Sequence, residues 1–138
     1  MSDAVPSGFA ELIGVEWVDL GPDEARARIA VDERHLQPYG IVHGGVYAAL
    51  AESIASAATY EAVKAEGMVA IGQANNTSFL RAISGGHVHA VARPRQRGRT
   101  TWVWDVELSD DEERVCALVR MTIAVRTPHR GTGEQRRG

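Results

Sequence analysis

Apolar and polar residues alternate along several stretches of the chain, and in one long stretch the spacing changes to three and four. Ala25, Ala27, Ile29 and Val31 alternate with Arg26 and Arg28, the period of a half-buried strand. Trp102, Trp104, Val106 and Leu108 alternate with Thr101, Val103, Asp105 and Glu107. Val115, Ala117, Val119, Met121, Ile123 and Val125 give the strongest alternation of all. From Gly44 to about Glu66, Val46, Ala49, Leu50, Ile54, Ala57, Ala58 and Val63 recur at helical spacing, and Gly67 is a natural stop.

Weaker signals fill the remainder. Pro6 to Ile13 predicts a short helix ended by Gly14, and Val15 to Leu20 a first strand. Met68 to Ala82 reads as a strand, and Val88, Ala90 and Ala92 begin another. Turns fall at Gly21–Glu24, at Ser84–Gly86 and in the acidic run Ser109–Glu113. Glu33 to Val42, with Pro38 and Gly40, reads as a loop. The order is two strands, one long helix, then four strands joined by short turns, which favours antiparallel pairing. One helix must then cover one face of a single curved sheet, an α+β layer architecture. A free face or edge of such a sheet favours dimerisation. Residues 1–127 are read as one domain and 128–138, polar and glycine-rich, as a disordered tail.

Composition narrows the class rather than the fold. The chain has 138 residues, 44% hydrophobic and 24% charged, enough for a core in one domain. A net charge of -3 argues against nucleic acid as partner. The single cysteine, Cys116, allows no internal disulfide, which fits a cytoplasmic setting. No signal peptide is visible, and the apolar run near residues 46–58 is too short and polar to span a bilayer.

Candidate chemistry concentrates in "GIVHGGVYAALAES". Gly44 and Gly45 sit where the helix begins, and its first amides have no internal partner. The macrodipole adds partial positive charge there, so the position suits an oxyanion or a polarised carbonyl. The same glycines would also serve a merely tight turn into the helix. Glu52 is the lone carboxylate among small helical residues, desolvated if it faces the sheet and ordinary if it faces solvent. Eight residues at 1.5 Å rise separate Gly44 and Glu52 by about 12 Å, too far to reach one carbonyl within one chain. Two antiparallel helices of a two-fold dimer would bring them together. Ser56, one turn after Glu52, could orient the carboxylate or a water, and Gln37 could add a donor.

These residues resemble the hotdog-fold thioesterases. The likeness lies in "GIVHGGVYAALAES", in Gln37 before it, and in "NNTSFLRAISGGHVHAVA" and "GRTTWVWDVEL" after it, and covers Ile13 to Arg126. It is nearest to the 4-hydroxybenzoyl-CoA thioesterase branch that carries glutamate on the central helix, with a pattern shared by phenylacetyl-CoA-type enzymes. The resemblance implies a curved antiparallel sheet wrapped around one helix and an acyl-CoA substrate, with aryl-acyl groups favoured and aromatic-compound catabolism as the setting. It implies no cofactor or metal, and a homodimer sharing its active sites within a homotetramer. It makes Gly44 the amide that polarises the carbonyl, with Gln37 assisting, and Glu52 of the partner subunit the nucleophile or general base. Ser56 stands where that branch usually has threonine and keeps the hydroxyl. Ala82 stands where the family often has proline.

His43 and Gly45 join the substrate-binding set, with a lead-in-loop hydrogen bond preferred to catalysis for His43. CoA phosphates suit arginines, which makes Arg81, Arg99 and Arg126 candidates, with Thr100 and Thr101 beside them. Arg93, Arg95, Arg97 and Arg99 would share one face if their strand were regular. A solvated basic edge explains single members equally well. His87 and His89 are spaced like a metal pair, but no third ligand is visible nearby in the sequence. Cys116 lacks a neighbouring base, and Asp19 and Asp32 show no partner. Two rivals stand beside hydrolysis. One is a non-catalytic acyl-CoA-binding module. The other is a hotdog dehydratase or hydratase, whose Asp-to-His signature is missing.

Overall fold

The computed structural model describes residues 8–128. A short helix α1 (Phe9–Leu12) precedes strands β1 (Val15–Leu20) and β2 (Ala25–Ala30). The long helix α2 (Gly44–Val63) follows, then β3 (Val69–Phe79), β4 (His87–Arg97), β5 (Thr101–Ser109) and β6 (Val115–Arg126). Gly67 takes the left-handed φ of 75° and ends the helical segment. The disordered-tail reading of 128–138 and the start of the first helix at Pro6 fall outside the described residues, apart from Pro128.

All strand pairs are antiparallel, in the order β1-β2-β4-β5-β6-β3, and the sheet curves around α2: the hotdog arrangement. Alternation places the inner face. Ala25, Ala27 and Ile29 of β2, Val88, Ala90 and Ala92 of β4, and Trp104, Val106 and Leu108 of β5 are all buried.

The structure differs from the sequence reading first in strand pairing. β3 and β4 do not pair across residues 80–86. Instead β3 ends at Phe79 and lies at the sheet edge beside β6. The chain then crosses to β4, held where the Leu80 and Arg81 amides donate to the Cys116 carbonyl and the Val31 amide to Gly86. Short spacing predicts adjacency only when both strands lack better partners, and here β2 and β5 flank β4. The second difference is in α2, which is not one-faced. Tyr47, Leu50, Ala51, Ile54, Ala55, Ala58 and Thr59 are buried, whereas Val46 and Ala49 are only half-buried. A helix enclosed by a wrapping sheet is apolar nearly all round. Its alanines let the strands approach closely, and truncating the fully buried Leu50 or Ile54 to alanine would cost about 2–5 kcal/mol.

Two buried polar side chains fix the architecture. Thr59 donates to the Ala55 carbonyl (2.7 Å) and accepts from the Trp104 indole (2.8 Å), tying α2 to β5. His35 accepts from the Asp32 amide at Nδ1 (2.9 Å), so its Nε2 carries the proton donated to the Ile13 carbonyl (2.7 Å). The loop read between Glu33 and Val42 therefore opens with a helical turn at Glu33–His35, capped by the Asp32 carboxylate, which has partners after all. The His43 amide donates to His35, so this turn also sets where α2 begins.

Candidate active site

At the start of α2, His43 is the N-cap, and its Nδ1 accepts from the Gly45 amide (2.8 Å). That bond takes the Gly45 donor out of play, although Gly45 was a candidate substrate contact. The Gly44 amide is left: among the described residues nothing accepts from it. It is a free donor at the positive end of a twenty-residue helix. Each glycine has a steric reason. A Cβ on Gly45 would press the His43 ring at 3.0 Å, and one on Gly44 would meet the Phe79 ring at 2.8 Å. Gln37 lies in the preceding loop with its Oε1 accepting from the Tyr39 amide (2.7 Å), which leaves its NH2 group to donate elsewhere.

Glu52 lies two turns further along α2. It is exposed in the single chain, so the expectation of a desolvated carboxylate is not met there. The carboxylate rests against the backbone of β3: a Cβ on Gly72 would stand 2.9 Å from its Oε2. Asn75 approaches Oε1 at 3.4 Å while donating to the Ala48 carbonyl at 2.9 Å, and Thr77 donates to the Asn75 Oδ1 at 2.7 Å. Gly72 and Asn75 were missed in sequence. The only signal was a polar run, "NNTS", inside an otherwise apolar strand. Glu52 and Ser56 open into one cleft of about 590 Å³, walled by Phe9, Trp17 and Tyr60.

The structure does not bring all the candidates together. Because α2 is unbroken from Gly44 to Val63, the separation of about 12 Å between Gly44 and Glu52 holds within one chain. The candidate CoA contacts also split. Arg81 follows β3 near the Gly44 end. Arg99, Thr100, Thr101 and Arg126 lie at the other end of β6, where Arg126 donates to the Thr100 carbonyl (3.0 Å). The nine residue steps of β6 from Ala117 to Arg126 separate the groups by about 30 Å. That second group is on the Glu52 side, since Arg126 pairs with Val69 next to the cleft. The regular arginine face is broken by a bulge between Pro94 and Gln96. Arg93, Arg95 and Arg97 already face Glu24, Asp105 and Asp23, whereas Arg99 sits in the following turn with no ion pair among the described residues.

Other groups are chemically quieter. Burial pushes the Tyr47 phenol up to about 12, so it stays protonated, and burial likewise raises the Cys116 thiol above its ordinary value. Trp102 and Trp104 stack in the core with centroids 5.8 Å apart. The His87–His89 pair does have a third partner, contrary to the sequence reading. Asp111, from the acidic β5–β6 turn, reaches both rings.

The thioesterase superfamily profile matches residues 39–117. The Mycobacterium tuberculosis protein Rv1847 is 45% identical over 111 residues, 79% of each chain. The proofreading thioesterase EntH of Cronobacter turicensis is 37% identical over 117 residues, 85% of each chain. A crystal structure of a mutant of thioesterase PA1618 from Pseudomonas aeruginosa superposes with a TM-score of 0.83 at 36% identity, covering 87% of this chain and 86% of that one.

Proposed function

The chain belongs to the thioesterase superfamily, and from that premise we propose that it hydrolyses acyl-CoA thioesters at sites shared between two subunits. One observation carries the reading: a single rigid helix bears a free amide at its N-terminus and a carboxylate about 12 Å further on. Neither half can work alone on one carbonyl, and an antiparallel partner helix supplies the missing half to each.

In this reading the Gly44 amide, with the Gln37 NH2 group beside it, receives the thioester oxygen as negative charge develops on it. Glu52 of the partner subunit acts from the opposite side. It either attacks the carbonyl carbon to give an anhydride that water then opens, or takes a proton from the attacking water. The C–S bond breaks, the CoA thiolate takes up a proton, and the free acid leaves. Ser56, at i+4 from Glu52 in the same cleft, orients the water. Neither route draws on a metal or prosthetic group. Single-turnover hydrolysis in oxygen-18 water separates the two: activation of water by Glu52 puts the label in the released acid, whereas an anhydride opened by water at the Glu52 carbonyl leaves the label in Glu52 and releases an unlabelled acid.

The dimer forms along β3. Its outer edge is unpaired in the single chain, and Ile71, Phe79 and Leu80 on or beside it are more than half exposed. A long unpaired edge that also exposes apolar side chains calls for a partner. Pairing two antiparallel β3 edges brings the Arg81 end of one chain towards the Arg99–Arg126 end of the other, where both groups can meet CoA phosphates. Two such dimers make the tetramer that the branch resemblance implies, in a cytoplasmic setting that keeps Cys116 reduced. No helix among the described residues is long and apolar enough to cross a membrane.

The acyl group enters the cleft beside Glu52. Three aromatic side chains, Phe9, Trp17 and Tyr60, wall it, which favours an aryl over a linear acyl chain. A thiol-release assay with benzoyl-, hydroxybenzoyl-, phenylacetyl- and linear acyl-CoAs tests both levels. The expected result is turnover that is fastest with aryl-CoAs and abolished in Glu52→Ala. Fastest turnover of linear chains would remove the aryl preference alone. Binding of every CoA ester without thiol release would favour the non-catalytic module.

A further inference from the structure

We propose that His87, His89 and Asp111 form a binding site for a divalent transition-metal ion of the zinc type, separate from the Glu52 cleft. β4 sends Val88, Ala90 and Ala92 into the core, so His87 and His89 project together from the outer face. Asp111 comes from the β5–β6 turn. It approaches His89 Nε2 at 2.7 Å and His87 Nδ1 at 3.2 Å. One ring nitrogen from each histidine and one carboxylate oxygen all lie within 4.8 Å of one another.

Those spacings suit an ion. Zinc bonds to nitrogen and oxygen run near 2.0–2.2 Å, so neighbouring ligand atoms in a tetrahedral shell stand about 3.3 Å apart. Small side-chain movements take this cluster to that geometry. Two imidazoles and one carboxylate select zinc, cobalt or nickel over magnesium or calcium, which prefer all-oxygen shells. The three side chains are 35%, 38% and 50% exposed, so an ion can arrive from solvent and keep water in its remaining position.

The surroundings keep Asp111 available. Its neighbour Asp110 is turned away, accepting from the Glu112 and Arg114 amides and pairing with the Arg114 side chain at 2.8 Å. Gly86, at φ 72°, leaves room for the Asp111 carboxylate, which a Cβ there would strike. The nearest cation across the ladder, Arg28 opposite His89, is itself paired with Glu16 at 2.6 Å.

The test uses the 138-residue chain without a tag, with cobalt binding followed by visible absorption and zinc binding by calorimetry. The expected result is one ion per chain, with affinity lowered about tenfold or more in Asp111→Asn and abolished in His87→Ala/His89→Ala. Glu66→Ala, before β3 at the opposite end of β6 from the site, should leave binding unchanged. Circular dichroism verifies that each variant is folded. The absence of saturable binding up to millimolar zinc would overturn the proposal. So would binding that persists unchanged in the folded double variant. Both readouts are independent of thioester turnover, so the proposal stands or falls apart from the assigned reaction.

Discussion

Replacing Gly72 with alanine moves Glu52 without touching it. Gly72 sits at the bulge of β3, where a Cβ would lie 2.9 Å from Glu52 Oε2 and 3.2 Å from Cδ. Ordinary contact begins at 3.4 Å, so the carboxylate must retreat by about 0.5 Å. Glu52 is exposed and its side chain flexible, so it can retreat at little cost to folding. The unfolded chain meanwhile loses glycine entropy, which favours the variant by about 0.4–1 kcal/mol where the backbone accepts alanine. Stability should therefore hold or rise slightly. Catalysis should not hold, because misplacing a reacting group by about 1 Å costs on the order of 100-fold, and half of that about tenfold. Steady-state thiol release should show kcat reduced about tenfold with KM nearly unchanged, and thermal melting should show an intact fold. An unchanged kcat in a folded Gly72→Ala protein would refute the claim that Glu52 acts from its seat against β3.

Two further outcomes follow from the same contacts. Thr59→Val removes the acceptor of the buried Trp104 indole and leaves that N–H orphaned, so denaturant unfolding should show a loss of about 1–3 kcal/mol; no loss would mean the bond between α2 and β5 contributes nothing. The Asp110 carboxyl is held below its ordinary value, first by the Arg114 amide and then by the Arg114 side chain. A depressed carboxylate stabilises the fold above its unfolded-state value near 3.8 and loses that effect as pH falls through the folded-state value. Asp110→Asn should therefore lower the melting temperature at neutral pH, with the difference from wild type closing in acid; a difference that does not depend on pH would contradict this.

How much was legible depends on range. Alternation located β2, β5 and β6 almost to the residue, because a sheet with one buried face writes its period locally. The same rule could not say that β3 joins β6 rather than β4, since neighbour identity is set by contacts distant in sequence. It also misjudged α2. Spacing at three and four suggests one face, whereas Tyr47, Ala51 and Thr59 are buried as well because the sheet surrounds the helix. At the candidate site, the spacing of the helix-start glycines and Glu52 was readable because they lie on one element of known rise. Their supports were not. Asn75, Gly72 and Asp111 act through strands and turns whose approach is visible only in three dimensions, and the alternate arginines lost their common face to a bulge at Arg95.

The most direct test of the shared site uses two inactive variants, each lacking one half. Gly44→Pro deletes the amide alone, because proline is accepted at the first helical position and His43, at φ -62° and ψ 135°, already has the extended form that precedes proline. Because the new ring would meet Phe79 on the β3 edge, size-exclusion chromatography verifies that this variant still dimerises. Each of Gly44→Pro and Glu52→Ala should lose about 100-fold or more in kcat. The two chains are co-expressed with different tags, and the heterodimer is isolated by tandem affinity. The account predicts about half of wild-type turnover per heterodimer, since one of its two sites is rebuilt from intact halves. A heterodimer as inactive as its parents would contradict it.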